Sequence, residues 1–293
     1  MTAPATGPVI VGVDGGTSAE GALVLARWAA GTLAAPLVVA VVHPAPSALG
    51  SGRVDAEWVA DRHRAAEAVL DQARAVLGED GGDVTYRVVA STSAAHGLHD
   101  LAEELGAQTI VVGSGRAGPK HRLFAGSTAD RLLAGSVCPV AIAPAGMETP
   151  PGALGRIGVA YVDTPDGRAA LAMAARLAER TGSPLRLYTV VSEADAALPF
   201  LVGRDAEHAF VDTARETYEL SLSRAAESVA GVDTDWEVRT GDVVESLADL
   251  SDVDVLFCGS RGYGPTRRVL LGGVSARLLR RARRPVVVVP RSG

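Results

Sequence analysis

Short apolar runs alternate with longer alanine-rich segments along the first half of the chain. The apolar runs cover residues 8–14, 36–43, 84–90 and 108–113, and helical patterns cover most of the sequence between them. The first helix is predicted to begin near Ala19, where Thr17 or Ser18 can serve as its N-cap. Strands that alternate with helices in this way predict a parallel, doubly wound sheet.

The second half repeats the same order of elements. Its strands are predicted at residues 156–162, 184–191, 235–240, 253–258 and 285–290. Three landmark pairs, Gly113 with Gly259, Gly126 with Gly272 and Pro139 with Pro285, are each 146 positions apart. A repeat of this length indicates a duplicated domain, because solenoid repeats are only about 20–50 residues long.

The fold prediction is therefore two tandem flavodoxin-/Rossmann-like α/β domains. Each is expected to contain a five-stranded parallel sheet with helices on both faces. The predicted boundaries are residues 1–146 and 155–293, and the segment 145–155 has the proline and glycine content of a linker. The total of 293 residues agrees with two domains of ordinary size.

Composition narrows the classes of function. A net charge of −6 argues against a general nucleic-acid binder, which needs a basic surface. The chain has two cysteines, too few for a disulfide framework, and no apolar run of the roughly 20 residues that cross a bilayer. Residues 1–14 lack the basic start of a signal peptide. We therefore expect a cytoplasmic protein that binds neither nucleic acid nor membrane.

Candidate chemistry lies where strands end. A doubly wound sheet binds ligands at the carboxyl ends of its strands, at the topological switch point. A flavodoxin-like strand order, 2-1-3-4-5, or a related order places that point beside the first strand, which ends at Asp14. The other candidate edge is the run 113–127, whose loop amides and helix start could hold phosphates, while Asp14 could accept hydrogen bonds from ribose hydroxyls. The alternative is that these glycines serve only the geometry of turns.

One motif in this run is misleading. Gly113, Gly115 and Gly118 match the dinucleotide fingerprint G-x-G-x-x-G, but they follow the fourth strand and Pro119 interrupts the loop. The fingerprint must follow the first strand of its unit and open a helix directly. The chain also shows no paired nucleophile and base and no metal-ligand spacing, so it does not indicate a dedicated hydrolase.

Taken together, these residues resemble the universal stress protein family in its tandem two-domain form. Nucleotide-binding members of that family carry Gly, two residues, Gly, nine residues, Gly, then Ser or Thr, with an aspartate at the end of the first strand. The resemblance covers essentially the whole chain. It implies the α/β fold predicted above, with ATP binding in one subset of members and none in another. It also implies Mg²⁺ as the companion of ATP.

The first copy matches the binding motif at all but one of its glycines. Asp14, Gly113, Gly126 and Ser127 stand at the expected places. Arg116 replaces the second glycine of the motif, where it could either crowd the loop or reach a phosphate.

The second copy departs from the motif differently. Gly259, Gly262 and Gly272 have the expected spacing, but Gly273 replaces the serine or threonine. Val162 takes the place of the strand-end aspartate, and Asp163 follows one position late. Because strands alternate faces, this shift would point the carboxylate away unless the loop bends it back.

The family resemblance implies a set of nucleotide contacts in each copy. The adenine would lie near the end of the second strand, at Val42 and His43 in the first copy and at Val190 and Val191 in the second. The full set is Val13, Asp14, Gly15, Val42, His43, Gly113, Ser114, Arg116, Gly126, Ser127 and Thr128 in the first copy, and Asp163, Val191, Gly259, Arg261, Gly262, Gly272, Gly273, Val274 and Ser275 in the second.

The leading hypothesis is an ATP-binding stress-response regulator with slow or no hydrolysis. The two domains would form a pseudo-dimer through their last strands, Val137–Ala143 and Pro285–Val289, and the chain could form a further homodimer or bind an unidentified protein partner. Two alternatives stay open: a nucleotide-free interaction scaffold with vestigial loops, and an adenylyl-transferring enzyme.

Overall fold

The structure is a computed structural model. It describes residues 7–45, 56–78, 83–114, 128–144, 146–148, 150, 154–192, 204–260, 277–279 and 281–290. The chain divides into two compact units, Met1–Pro151 and Gly152–Gly293. The domain boundaries predicted from the sequence, at residues 146 and 155, stay predictions.

The first unit alternates strands and helices, as its apolar pattern predicts. Its elements are, in chain order, β1 (Val9–Gly12), α1 (Ala19–Leu33), β2 (Leu37–Pro44), α2 (Ala56–Leu77), β3 (Val84–Ser91), α3 (Ala94–Leu105), β4 (Thr109–Gly113), α4 (Thr128–Leu133) and β5 (Val140–Ala143).

Strand β1 lies between β2 and β4 in a parallel sheet of order β3-β2-β1-β4-β5. This is the Rossmann-like order rather than the flavodoxin-like order 2-1-3-4-5. The chain leaves β1 toward β2 on one side and returns through β4 on the other. The topological switch point therefore falls between β1 and β4, so the ends of these two strands define the crevice.

Helices cover both faces of this sheet. Val42 contacts Gly97 of α3, whereas its neighbour His43 contacts His63 of α2. Because successive side chains of a strand point to opposite faces, α2 and α3 lie on opposite sides of β2. Both faces are thus buried, which explains why β1 and β2 are nearly continuous apolar runs rather than alternating ones.

The second unit repeats this architecture. Its elements are β6 (Ile157–Ala160), α5 (Pro165–Thr181), β7 (Leu185–Val191), α6 (Arg204–Glu227), β8 (Thr234–Thr240), α7 (Val243–Ala248), β9 (Val255–Gly259) and β10 (Val286–Val289). The strands are parallel in the order β8-β7-β6-β9-β10. The switch point falls between β6 and β9, and the crevice of this unit lies at the ends of these two strands.

The register shows which residues of the two units correspond. Val9 pairs with Leu37 in the first unit, and Ile157 pairs with Leu185 in the second. The first two strands of each unit are thus 148 positions apart, whereas the glycines ending β4 and β9 are 146 apart. Insertions and deletions between these strands account for the difference, and only the strand pairing reveals it.

Side-chain hydrogen bonds cap the N-termini of α3 and α5. The Ser93 hydroxyl accepts a hydrogen bond from the amide of His96 at 3.2 Å, and Thr164 accepts one from Gly167 at 3.0 Å. Pro165 occupies the first turn of α5, where its missing N–H costs nothing. Ser18 is the N-cap residue of α1, as predicted, but its side chain makes no capping hydrogen bond.

Candidate functional site

Asp14 lies in an exposed turn directly after β1. Its Oδ1 accepts a hydrogen bond from the amide of Gly16 at 2.8 Å, so the turn fixes the carboxylate at the crevice of the first unit. Gly15 has a φ of 72°, and a Cβ added there would lie 3.0 Å from Val69 of α2. A side chain at position 15 would therefore be disfavoured both by the positive φ and by the contact with Val69, which explains the glycine after the aspartate.

Gly113 ends β4, where the start of α1 lies against it. A Cβ added to Gly113 would lie 2.6 Å from both the Cβ and the carbonyl oxygen of Ser18. Such contacts leave no space for a side chain, so the first glycine of the motif has a packing reason. The close approach also places the N-terminus of α1 at the switch point, beside Asp14.

Ser114 follows at the mouth of the loop. Its amide donates to the carbonyl of Ala143 at 2.9 Å, which continues the pairing of β4 with β5. Its hydroxyl oxygen is buried and has no hydrogen-bond partner among the residues that the structure describes. Buried hydroxyls are normally paired, so Ser114 has hydrogen-bonding capacity to spare at this edge.

The two positions predicted near adenine, Val42 and His43, turn to opposite faces of β2. A Cβ on Gly97 of α3 would lie 2.8 Å from Val42, so Val42 packs under that helix. His43 is 9% exposed, its Nδ1 lies 3.1 Å from the carbonyl oxygen of Pro44, and its ring meets that of His63 edge to face at 6.2 Å. An adenine bound at this strand end would therefore contact the backbone and either Val42 or His43, but not both side chains.

In the second unit, the strand register assigns Val162 to the place of Asp14 and Asp163 to the place of Gly15. The carboxylate of Asp163 pairs with Arg168 and lies 3.4 Å from the hydroxyl of Tyr161. Burial raises the pKa of Tyr161, and the charge of Asp163 adds to this effect. The late aspartate is thus engaged in local interactions of its own unit.

Asp166 in the first turn of α5 was missed by sequence reasoning. A Cβ added to Gly259 would lie 2.8 Å from the Cβ of Asp166, so Asp166 meets the end of β9 as Ser18 meets the end of β4. Asp166 is 5% exposed, and its Oδ1 has no hydrogen-bond partner among the described residues. The equivalence of Asp166 with Ser18 becomes visible only after the first strands of the two units are aligned by their 148-residue spacing.

Two further strand ends of the second unit, those of β7 and β9, carry apolar or uncharged side chains. Val191 ends β7 and is 3% exposed, as Val13 after β1 is 6% exposed. Cys258 lies within β9, and burial raises the pKa of its thiol to about 12. A thiol in this environment stays protonated at neutral pH and is a poor nucleophile.

Most of the expected phosphate contacts fall outside the described residues. Thr128 is described and begins α4. The contacts predicted at Arg116, Gly126, Ser127, Arg261, Gly262, Gly272, Gly273, Val274 and Ser275 lie in the undescribed segments.

Within the described part of the chain, no cluster of three or more histidine, cysteine, aspartate or glutamate residues is arranged to hold a metal ion. No helix in that part is both long and apolar enough to span a bilayer.

Each unit is thus a doubly wound α/β domain whose crevice lies between its first and fourth strands, the place where such sheets bind their ligands. The family model for the universal stress protein family matches residues 6–144 and again 154–290. The chain therefore belongs to the universal stress protein family, in a tandem two-domain form.

Known relatives agree with this assignment. The chain is 32% identical over 292 residues to a universal stress protein of Mycobacterium tuberculosis, covering 96% of this chain and 99% of the relative. It is 27% identical over 310 residues to a universal stress protein of Mycolicibacterium smegmatis, covering 96% of each. The relatives thus share the tandem arrangement over their full length.

Solved structures show the same fold. A universal stress protein from Archaeoglobus fulgidus superposes with a TM-score of 0.68 at 18% identity, covering 98% of this chain and 97% of that one. A functionally unknown protein from Pseudomonas aeruginosa superposes with a TM-score of 0.63 at 16% identity, covering 98% and 93%. At these identities the likeness concerns the fold alone.

Proposed function

We propose that this chain is an ATP-binding regulatory protein of the stress response, with nucleotide bound in the crevice of the first unit. The observation that carries the proposal is the placement of Asp14. Its carboxylate is exposed at the end of β1, fixed by the Gly16 amide, and lies at the switch point beside the N-terminus of α1.

The residues present suit a nucleotide with Mg²⁺. One oxygen of Asp14 is engaged with its own turn, and the carboxylate can accept hydrogen bonds from ribose hydroxyls. The helix start at Ser18 presents backbone N–H groups and the positive end of a dipole, which favour an anion. Ser114 adds a hydroxyl without a partner among the described residues. Mg²⁺ would be held mainly by the nucleotide phosphates.

We infer that the bound nucleotide acts as a signal rather than as a substrate. A rapid ATPase needs groups that orient water and stabilise the charge that develops on the phosphate. The sequence offers no such pair, so we infer slow or no hydrolysis. We also propose a cytoplasmic location and a protein partner that distinguishes the nucleotide-bound state from the empty one.

A nucleotide-free scaffold is the second candidate. It is favoured by the departures from the motif at Arg116, Val162 and Gly273. It is also favoured by the packing of Ser18 against Gly113, because a glycine that packing requires is no proof of a phosphate site. An adenylyl-transferring enzyme is the third candidate, and timed assays for product formed from ATP would separate it from the first.

The test of the proposal is nucleotide content and binding. The purified chain is denatured, the supernatant is assayed for adenine nucleotides, and the emptied protein is titrated with MgATP in a thermal unfolding assay. We expect bound nucleotide or a rise in melting temperature, since ligand at 100 times its Kd stabilises the native state by about 2.7 kcal/mol. Asp14→Ala and Ser127→Ala should weaken binding by about tenfold or more, which corresponds to the loss of one charged hydrogen bond.

Asp61→Ala is the matched control. Asp61 is an exposed aspartate of α2 that pairs with Arg64 on its own helix. Its removal should leave nucleotide binding unchanged. The apparent stability of each empty variant is measured separately, because Asp14→Ala also removes the hydrogen bond to Gly16. An empty chain that MgATP at millimolar concentration does not stabilise would leave the scaffold as the function.

A further inference from the structure

The two crevices differ in the side chain that lies against the glycine ending the fourth strand of each unit. Ser18 lies against Gly113 in the first unit, and Asp166 lies against Gly259 in the second. The strand register makes these two residues equivalent, since both follow the end of the first strand by the same number of positions. A neutral hydroxyl in one unit is thus a carboxylate in the other.

Asp166 is in an unusual environment for a charged side chain. It is 5% exposed, and its Oδ1 has no hydrogen-bond partner among the described residues. Burial of a carboxylate with an unpaired oxygen is costly, so such a group requires a compensating interaction. It lies in the first turn of α5, whose positive dipole end favours a negative charge.

The same helix end also favours a phosphate, beside the loop that follows the fourth strand. In the first unit, Ser18 is uncharged and leaves the dipole of α1 available to a ligand anion. In the second unit, the equivalent position carries the acidic Asp166, whose Cβ lies against the end of β9 and which belongs to the first turn of α5. Arg168 does not restore a positive charge to the crevice, because it pairs with Asp163.

We propose that Asp166 makes the crevice of the second unit reject nucleotide phosphates, so that the chain binds one nucleotide, in the first unit. This inference rests on the proposed ATP binding of the first unit. A carboxylate repels a phosphate group across a partly buried crevice, where charges are screened less than in water. The expected cost in affinity is at least about tenfold relative to the same crevice with a neutral residue.

The chain provides the matched substitutions for a test. Asp166→Ser gives the second unit the residue of the first, and Asp166→Asn removes the charge while keeping the shape. Ser18→Asp transfers the carboxylate to the first unit, and Ser18→Asn is its uncharged control. Emptied full-length protein is titrated with MgATP by calorimetry, and circular dichroism verifies that each variant is folded.

We expect one nucleotide per wild-type chain and a second site in both Asp166 variants, weaker than the first because Val162 stands where the first unit has Asp14. Ser18→Asp should reduce wild-type binding to none detectable, and Ser18→Asn should keep it. In the Ser18→Asp/Asp166→Ser double variant one site should remain, now in the second unit. Rescue by the isosteric Asp166→Asn distinguishes a charge effect from a packing effect.

Two wild-type sites, or one site that persists unchanged in folded Asp166→Asn and Asp166→Ser, would overturn the inference and leave the proposed function intact. A wild-type chain that binds no nucleotide refutes the proposed function instead. In that case, binding that appears only in the Asp166 variants supports the role of Asp166 in the second unit. If the Asp166 variants also bind no nucleotide, both proposals are refuted.

Discussion

Two glycines of the binding motif are explained by packing before any ligand is considered. Gly113 and Gly259 each lie within 3 Å of the helix that follows the first strand, measured from an added Cβ. A chain that had lost nucleotide binding would therefore still need glycine at both places. The case for a nucleotide depends on residues without such a packing role, above all Asp14.

Ala34 ends α1 in the left-handed conformation, with a φ of 50°. The corresponding residue at the end of α5 is Gly182, with a φ of 68°. Because a Cβ is disfavoured in this conformation, we expect Ala34→Gly to stabilise the first unit by about 0.5–1 kcal/mol and Gly182→Ala to destabilise the second by a similar amount. Chemical denaturation of the two variants and wild type measures both changes.

Gly31 provides the control for this pair. It lies within α1, and a Cβ added there would meet no atom within 4 Å. Gly31→Ala should therefore stabilise the helix, because glycine in a helix interior costs about 1 kcal/mol relative to alanine. A destabilising Ala34→Gly together with a stabilising Gly31→Ala would show that the left-handed end of α1 does not form in solution.

At the scale of elements, a charged cluster distinguishes the edge of the second sheet from that of the first. Arg186 of β7 forms a two-point pair with Asp235 of β8 and lies 3.0 Å from Asp252. The hydroxyl of Tyr188, which is 1% exposed, donates to Asp252 at 2.6 Å. The equivalent positions of Arg186 and Tyr188 in β2 are Val38 and Ala40, which are apolar and buried.

This cluster predicts a pH dependence of stability. The hydrogen bond from Arg186 lowers the pKa of Asp235. Burial alone would raise the pKa of Asp252, but the hydroxyl of Tyr188, a backbone amide and Arg186 bring it below its usual range. A carboxyl group with a lowered pKa in the native state contributes stability that is complete above its unfolded value, about 3.9, and is lost as the pH falls through the native value.

The measurement is the melting temperature of wild type and Asp252→Asn between pH 7 and pH 2.5. We expect wild type to be the more stable at pH 7 and the difference to shrink below about pH 4, as both carboxyl groups take up protons. Asp249→Asn is the control, because Asp249 is an exposed aspartate at the end of α7. A difference between Asp252→Asn and wild type that stays constant down to pH 2.5 would contradict the role of the cluster.

The strands, their order in the sheet and the contacts between elements could be predicted from the sequence to different extents. Buried strands such as β1 and β7 are visible as apolar runs, and their observed bounds differ from the prediction by at most two residues at each end. Strand order is a property of the sheet rather than of any one segment, so the sequence left the flavodoxin-like order and related orders open, and the sheet has the Rossmann-like one. Asp166 escaped notice because its significance depends on β6, α5 and β9 meeting in space.

At the scale of the molecule, duplication followed by divergence gives two units with the same crevice and different chemistry. The first has an exposed Asp14 beside neutral Ser18. The second has Asp163 paired with Arg168, and a buried carboxylate at Asp166. If both proposals hold, one unit senses the nucleotide and the other supplies a surface or fold that does not respond to it directly.

This division of labour predicts an asymmetric response to nucleotide. We expect MgATP to slow amide hydrogen exchange in peptides that cover the end of β1 and the start of α1, because bound ligand reduces local opening there. Peptides covering the end of β6 and the start of α5 should exchange at the same rate with and without MgATP. Mass spectrometry of the digested full-length chain reports both regions in one experiment.

The Asp166→Ser variant sharpens this prediction, because it should extend the protection to the peptides of the second unit. Protection of both units in the wild-type chain would mean either a second nucleotide or a structural response transmitted from the first unit. The calorimetric stoichiometry separates these two explanations, since transmission leaves one nucleotide per chain. Protection confined to the second unit would place the nucleotide there and contradict the assignment of the site to Asp14.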